Sequence, residues 1–275
     1  MAKLKKNFEF EGKGNIWRII PDNNGYLLVE TRDTVKKQVY FSYLNLENGN
    51  SVIKNFQLEE KFWTGVEKVY NSIVIFHKFV KPDLPGHIGL FAYDIKNEKF
   101  LWKHDDLAYS FFFEEKIYCF KRGFETNKNF AVDFFTGKMI SEIPDETEFK
   151  MLHEKATEAE DFSDYVFPER FFPEQKIEGN SMRILNDIYQ KNKIEGIIEY
   201  ACFNDVLLYN FHTHNKNKSY NNIFRAADLN SDKTVLEEII NKNCSKLMPD
   251  CFFIKGNQLF LLQETKKIIV YNYNK

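Results

Sequence analysis

The sequence predicts an all-β fold made of repeated four-stranded antiparallel units. The first observation is a short recurring pattern, in which an apolar run ends in Asp or Asn and is followed by a small polar residue and a tight turn. Its copies are LNLENGN at 44–50, YDIKNEK at 93–99, VDFFTGK at 132–138, ADLNSDK at 227–233 and YNYNK at 271–275. The Asp or Asn that ends the apolar run, called the Asx position, is Asn45, Asp94, Asp133, Asp228 or Asn272 in the five copies. A short Asx side chain accepts hydrogen bonds from the backbone amides of the turn it enters, so the pattern marks hairpin turns.

The second observation is a pair of apolar runs before each of these turns. β-Branched and aromatic residues alternate in the runs, and turn-forming dipeptides separate them. The paired runs are IWRIIPDNNGYLLVE at 16–30, VEKVYNSIVIF at 66–76, SFFFEEKIYCF at 110–120, EYACFNDVLLYNF at 199–211 and DCFFIKGNQLFLL at 250–262. Four short strands per unit, repeated every ~45 residues, are typical of the blades of a β-propeller. We predict one propeller domain over residues 1–275, with five blades.

The last unit is one strand short, because the chain stops after YNYNK. The N-terminal segment KNFEFEGK at 6–13 has the alternation of a strand. We expect this segment to supply the missing strand and to close the ring, which removes an open sheet edge.

A partly helical insertion at about 145–195 interrupts the repeat. Its first part has the charge density of helix and loop, YVFPERFFPEQK is extended, and NSMRILNDIYQKN forms a short helix with Met182, Leu185, Ile188 and Tyr189 on one face. Asp133 and Asp228 lie 95 positions apart, about twice the usual interval, so a sixth blade remains an alternative.

Two of the units resemble the repeat of quinoprotein-like (PQQ-like) propellers. These are FAYDIKNEKFLW at 91–102 and FAVDFFTGKMI at 130–140, and Trp102 occupies the Trp position of that repeat in one unit. The resemblance implies the propeller architecture for most of the chain. It does not imply the quinone, because the paired cysteines and docking tryptophans of the quinone-dependent enzymes are absent from the sequence. We therefore expect no cofactor.

Composition and charge favour a soluble cytoplasmic protein. The formal net charge of −2 gives no overall indication of nucleic-acid or membrane binding. No stretch approaches the ~18 consecutive apolar residues of a membrane span. No apolar signal region follows the basic start of the chain. The four cysteines lack C-x-x-C spacing, which favours structural thiols over a disulfide framework.

The loops between the second and third strands of the units are basic. They are ETRDTVKKQ, HKFVKPDLPGH, KRGFETNK, NFHTHNKNKSYNN and QETKK, and together they hold 12 Lys/Arg against 5 Asp/Glu. In a propeller these loops emerge on one face, where their summed potential would attract anions. We expect a non-catalytic binding or scaffold protein that holds an acidic protein segment or a small anion. The predicted contacts are Lys36, Lys37, Lys81, Lys121, Arg122, Lys216 and Lys218. The alternative is that these loops are only solvated.

The insertion carries a charge of the opposite sign. Its segment Asp145 to Asp164 has eight acidic residues against Lys150 and Lys155. Because the insertion follows a fourth strand, it leaves from the same face as the basic loops. It is therefore either a cover for that face or a solvated helix.

An alternative function is that of a metal-assisted hydrolase or lyase. His212 and His214 form an i, i+2 pair that points one way from an extended strand, and His77 or His87 would supply a third ligand. The sequence contains no HExxH motif, nucleophile elbow or phosphate-binding glycine loop. These absences favour the non-catalytic interpretation.

Overall fold

The computed structural model describes residues 3–81, 84–173, 179–215 and 218–274. Within these ranges the chain is mostly β-structure and divides into two compact units. The N-unit is Gly12–Asp161, and the C-unit is Met1–Glu11 with Phe162–Lys275.

The chain begins with strand β1 (Lys3–Glu11), which belongs to the C-unit. Three four-stranded antiparallel sheets of the N-unit follow. The first sheet consists of β2 (Asn15–Pro21), β3 (Tyr26–Asp33), β4 (Gln38–Asn45) and β5 (Ser51–Phe56). The second consists of β6 (Thr64–Tyr70), β7 (Ile73–Lys81), β8 (Leu84–Asp94) and β9 (Lys99–His104). The third consists of β10 (Ala108–Phe113), β11 (Lys116–Lys121), β12 (Lys128–Asp133) and β13 (Met139–Ile143). Each strand pairs with the next along the chain, as the alternating apolar runs predict. The N-unit ends with helix α1 (Glu146–Glu158).

The C-unit has two five-stranded antiparallel sheets and a second helix. Its elements are β14 (Tyr165–Val166), β15 (Glu169–Phe171), helix α2 (Asn180–Lys191), β16 (Ile194–Phe203), β17 (Val206–His214), β18 (Tyr220–Asp228), β19 (Thr234–Cys244), β20 (Phe252–Lys255), β21 (Gln258–Gln263) and β22 (Lys267–Asn274). One sheet has the order β15-β16-β17-β18-β19, and the other has the order β1-β22-β21-β20-β14. Neither helix of the described ranges has the length and apolarity that a bilayer crossing requires.

The N-terminal strand completes the last sheet, as the sequence predicts. β1 pairs antiparallel with β22, from Lys3 opposite Asn274 to Glu11 opposite Lys267. Phe8 and Phe10 of β1 are buried. Ring closure and the number of blades remain predictions.

The Asx position stabilises the turn that leads into the last strand of a sheet, as predicted. Asp133 Oδ1 accepts hydrogen bonds from the backbone N–H (2.8 Å) and the hydroxyl (2.7 Å) of Thr136. Asp228 Oδ1 accepts the same two from Ser231, at 2.9 and 3.0 Å. Gly137 adopts φ +70°, a left-handed conformation that glycine takes at little cost.

The insertion is partly helical, as predicted, and its extended part joins the neighbouring sheets. β14 pairs with β20, and β15 pairs with β16. Helix α2 buries Met182 and Leu185 against its own sheet. α1 packs Phe149, Leu152 and Ala156 on the sheet of β10–β13.

Hydrogen bonds from side chains connect neighbouring sheets of the N-unit. Trp102 on β9 donates from Nε1 to the carbonyl of Phe134, at 2.9 Å, and its ring lies over Gly137. Arg32 on β3 donates to the carbonyls of Phe62 and Thr64 at the start of the next sheet. These contacts hold neighbouring sheets of the N-unit at fixed positions.

Candidate functional site

The first strand of each sheet in the N-unit carries a β-bulge. The pairing register shifts at Trp17 in β2, at Glu67 in β6 and at Ser110 in β10. A bulge places an extra residue in one strand and redirects its side chain. In β6 the redirected side chain is a carboxylate.

Glu67 meets two histidines from the next two strands of its sheet. Glu67 Oε1 lies 2.9 Å from Nδ1 of His77 on β7 and 2.7 Å from Nδ1 of His87 on β8. The two imidazole rings are stacked, with centroids 3.6 Å apart and an interplanar angle of 10°. Three or more His, Cys, Asp or Glu side chains with ligand atoms within 4.8 Å of one another could together hold a metal ion. Among the described residues, Glu67, His77 and His87 form such a group.

His77 is buried without an aligned hydrogen-bond partner for either ring nitrogen. Its side chain is 1% exposed, whereas those of Glu67 and His87 are 11% and 30% exposed. The contact of its Nδ1 with Glu67 is short but lacks hydrogen-bond geometry, and its Nε2 has no partner. Buried polar atoms are nearly always hydrogen-bonded, so an unsatisfied imidazole calls for an explanation.

The protonation states follow from burial and neighbouring charge. Burial raises the pKa of Glu67, but the proximity of His77 and His87 outweighs it and leaves that pKa below the usual value. Burial lowers the pKa of His77 and outweighs the attraction of Glu67. At neutral pH the group therefore holds a carboxylate and a neutral buried imidazole.

A cavity of about 400 Å³ adjoins this group in the N-unit. Its lining includes Glu67, Tyr109, Ser110, His153 and Glu160. Burial raises the pKa of Tyr109, and the charges of Glu67 and Glu160 raise it further, so the phenol keeps its proton. Glu67, Ser110, His153 and Glu160 give this cavity polar groups in its lining.

The predicted basic contacts of the N-unit lie on the hairpins that join second and third strands of its sheets. Lys36 and Lys37 are exposed in the β3–β4 hairpin, and Lys121 and Arg122 are exposed where β11 ends. A methyl group built on Gly86 of β8 would lie 2.5 Å from Arg122 Nη2, so the β11–β12 hairpin lies against the neighbouring one. The Lys81 side chain and the whole of Lys216 lie outside the described residues. Lys218, in the C-unit, is exposed.

Acidic neighbours accompany two of these cations. Lys121 Nζ lies 2.7 Å from Asp106, and Lys36 Nζ lies 3.8 Å from Asp33. Exposed ion pairs of this kind contribute little to stability. An incoming anion could displace either carboxylate.

The sequence-predicted histidines His212 and His214 lie in the C-unit and have different surroundings. His212 is buried, and its Nε2 accepts the backbone N–H of Met248 at 3.0 Å. His214 Nε2 lies 2.9 Å from Glu195. Burial lowers the pKa of His212, which favours the neutral acceptor. A metal site of His212, His214 and His77 remains a prediction, whereas His77 and His87 share the N-unit group with Glu67.

The sequence gives no indication of Glu67, and it suggests His87 only as a third ligand beside His212 and His214. The Asn71-Ser72 turn indicates a β6–β7 hairpin, which brings the region of Glu67 close to His77. The bulge that redirects Glu67 leaves no sequence pattern that marks it.

One protein-family model matches part of the N-unit. The model "Domain of unknown function (DUF4905)" matches residues 20–102, a span that includes Glu67, His77 and His87. No curated protein matches the sequence.

Solved structures resemble the chain only distantly. The uncharacterized protein lmo1340 of Listeria monocytogenes EGD-e has a TM-score of 0.33 and 13% identity, over 91% of this chain and 75% of that one. Hsv2 of Kluyveromyces marxianus has a TM-score of 0.32 and 11% identity, over 92% and 74%. A europium-containing methanol dehydrogenase has a TM-score of 0.29 and 11% identity, over 86% and 44%. Similarities at this level carry no argument about function.

Proposed function

We propose that the chain is a five-bladed β-propeller that acts as a non-catalytic binding module. In this proposal the five sheets are the blades and the pairing of β1 with β22 completes the last one. The basic hairpins between second and third strands then hold an acidic partner.

The contact between Arg122 and Gly86 carries the proposal. It brings the β11–β12 hairpin alongside the β7–β8 hairpin. Arg32, at the end of β3, donates to Thr64 at the start of β6, which supports a position of the β3–β4 hairpin at the same end of the unit. Lys36, Lys37, Lys121 and Arg122 therefore share one end of the N-unit, where their potentials add.

Exposed apolar side chains at the hairpin tips favour a protein segment over a small anion. Val35 is 92% exposed and Phe124 is 104% exposed. Each lies beside basic residues in its hairpin. Combined apolar and cationic contacts suit a peptide that carries both carboxylates and apolar side chains.

The test is reversal of charge at Lys121 and Arg122. We expect the Lys121→Glu/Arg122→Glu variant to lose binding to an acidic peptide library by at least tenfold, because repulsion replaces attraction. The expected thermal stability is unchanged, since exposed charges contribute little. Binding of the parent should weaken as salt rises, because screening acts within ~8–10 Å at physiological ionic strength.

The matched control is reversal of Lys99 and Lys116. Both residues lie at the ends of their sheets that are opposite the basic hairpins. Lys99 pairs with Asp94, the last residue of β8, and Lys116 is the first residue of β11. This control should bind like the parent. Equal binding by all three proteins at every salt concentration would refute the proposal. Selective binding of inorganic phosphate or citrate would identify a small anion as the ligand.

In this proposal the acidic helix α1 covers the basic hairpins of the N-unit. It begins after Ile143, which pairs with Asn129 at the hairpin end of β12. Because Phe149 and Leu152 are packed, deletion of the helix would damage the fold. Substitution of Glu146, Glu148, Glu154 and Glu158 by Gln is therefore the better test, and tighter peptide binding is the expected result.

A further inference from the structure

The N-unit group of Glu67, His77 and His87 has the composition of a metal site. It offers two imidazole nitrogens and one carboxylate oxygen, donor atoms that suit zinc and neighbouring transition metals. Mg²⁺ and Ca²⁺ prefer sites made of oxygen ligands. The three side chains come from adjacent strands of one sheet, which is a rigid support.

The unsatisfied His77 is the independent observation that indicates a ligand. Its buried Nδ1 faces Glu67 at 2.9 Å without hydrogen-bond geometry. A bound cation would satisfy that nitrogen and would separate it from the carboxylate. Ligand atoms about 2.0–2.1 Å from a tetrahedral ion lie roughly 3.3 Å apart. The observed separations of 2.7 and 2.9 Å therefore require an outward movement. The stacked rings must also tilt, because an imidazole nitrogen binds a metal in the plane of its ring.

The charges around the group are compatible with a cation. Of the two guanidinium groups near these side chains, that of Arg32 is paired with Glu30 at 2.6 Å, and that of Arg18 donates to the backbone carbonyl of Val66. A carboxylate and a neutral imidazole are the forms of these side chains that bind metals.

We propose that Glu67, His77 and His87 bind a divalent transition-metal ion of the zinc class, with a coordination position open toward the adjoining cavity. Three protein ligands leave a tetrahedral ion one position for water or another ligand. Glu67 lines the cavity of about 400 Å³, so a molecule in that cavity would approach the ion from the carboxylate side. His77 and His87 flank the basic β7–β8 hairpin, but metal binding by this site does not require the hairpins to bind an anion.

The experiment uses the full chain without a histidine tag, stripped with a chelator and dialysed. Co²⁺ is added as a spectroscopic probe, and Zn²⁺ binding is measured by calorimetry and by competition with Co²⁺. We expect one ion per chain and the visible absorption bands of a four-coordinate Co²⁺ site. Thermal stability should rise with Zn²⁺ concentration, because a ligand that binds only the folded state stabilises it.

The test variant is His87→Ala, because His87 is the most exposed of the three ligands and its removal leaves the core intact. We expect at least a tenfold loss of Zn²⁺ affinity and loss of the Co²⁺ bands. The control is His214→Ala, which removes an exposed histidine of the C-unit and should bind like the parent. Glu67→Gln tests the carboxylate while preserving its size, and it should also weaken binding.

Three results would overturn the proposal. One is no stoichiometric binding of Zn²⁺ or Co²⁺ by the parent. Another is unchanged affinity in a folded His87→Ala protein, with folding checked by circular dichroism. The third is loss of binding in His214→Ala with retention in His87→Ala, which would locate the ion at the C-unit histidines instead.

Discussion

The imidazole ring of His77 lies directly over Gly65 of the neighbouring strand. A methyl group at Gly65 would lie 2.8 Å from His77 Cε1 and 3.0 Å from its Nε2. These distances leave no room for a side chain at position 65. The glycine thereby allows a buried imidazole to occupy the face of the sheet where Glu67 and His87 converge.

Gly65→Ala should destabilise the protein by about 1–3 kcal/mol, because overpacking a buried position forces neighbours to move. Denaturant unfolding measures this loss. The control is Gly86→Ala, whose new methyl group would meet only the movable end of Arg122. We expect the control to change stability by less than about 0.5 kcal/mol. Equal effects of the two substitutions would contradict the close packing of His77.

Gly137→Ala should be more damaging than the same change at Gly25. Both glycines have a left-handed backbone, with φ of +70° and +81°. A methyl group at Gly137 would lie 2.5 Å from the Trp102 ring, whereas nothing lies within 4 Å of one at Gly25. Both variants carry backbone strain of about 1–2 kcal/mol, and the clash adds to it only at Gly137. Unfolding followed by tryptophan fluorescence compares them, and a smaller loss at Gly137 would argue against this contact.

Phe10→Ala should cost about 3–5 kcal/mol, because it removes a buried aromatic ring from β1. Phe10 is 4% exposed and pairs with Ile268 on β22. Glu11→Ala, at the exposed end of the same strand, is the control and should be nearly neutral. Urea titrations of both proteins provide the measurement. If Phe10→Ala unfolds at the urea concentration of the parent, β1 does not contribute to the last sheet in solution.

The Asp133 turn should give a pH-dependent contribution to stability. Hydrogen bonds from the Thr136 hydroxyl and backbone lower the pKa of Asp133 below its value in an unfolded chain. A lowered pKa in the folded state means that the contribution is complete above the unfolded value, near 3.9, and is lost as the pH falls through the folded value.

Asp133→Asn keeps the acceptor but cannot titrate, so it isolates this effect. The stability difference between parent and variant should be largest near neutral pH and should shrink below about pH 3.9. Unfolding free energies across an acid pH series test this expectation. A difference that stays constant over the series would show that the charge of Asp133 has no part in the turn.

The sequence predicted what depends on local chemistry. The turns at Asp133 and Asp228 were recognisable because each Asx residue and its partner lie three positions apart. The helical face of Met182 and Leu185 was recognisable by its period.

The candidate metal group could not be predicted in the same way. Glu67 reaches His77 and His87 through a bulge, and a single inserted residue decides which way its side chain points. His77 was predicted to act with His212 and His214, because the sequence gives no means to choose among histidines on different strands. The sequence also could not predict which sheets β14 and β15 join. Strands this short contain too few residues to show a hydrophobic pattern that fixes their pairing.

The pairing of β1 with β22 also has a consequence for the order of folding. Lys3 and Asn274 are partners across almost the whole chain, and contacts at such separation are slow to form because a very long loop must first be closed. During synthesis β1 emerges before β22 and must wait for it. Until the two meet, β22 leaves a row of backbone donors and acceptors free to pair with another copy of the chain. We therefore expect the risk of aggregation to be concentrated in the interval before this last strand is added.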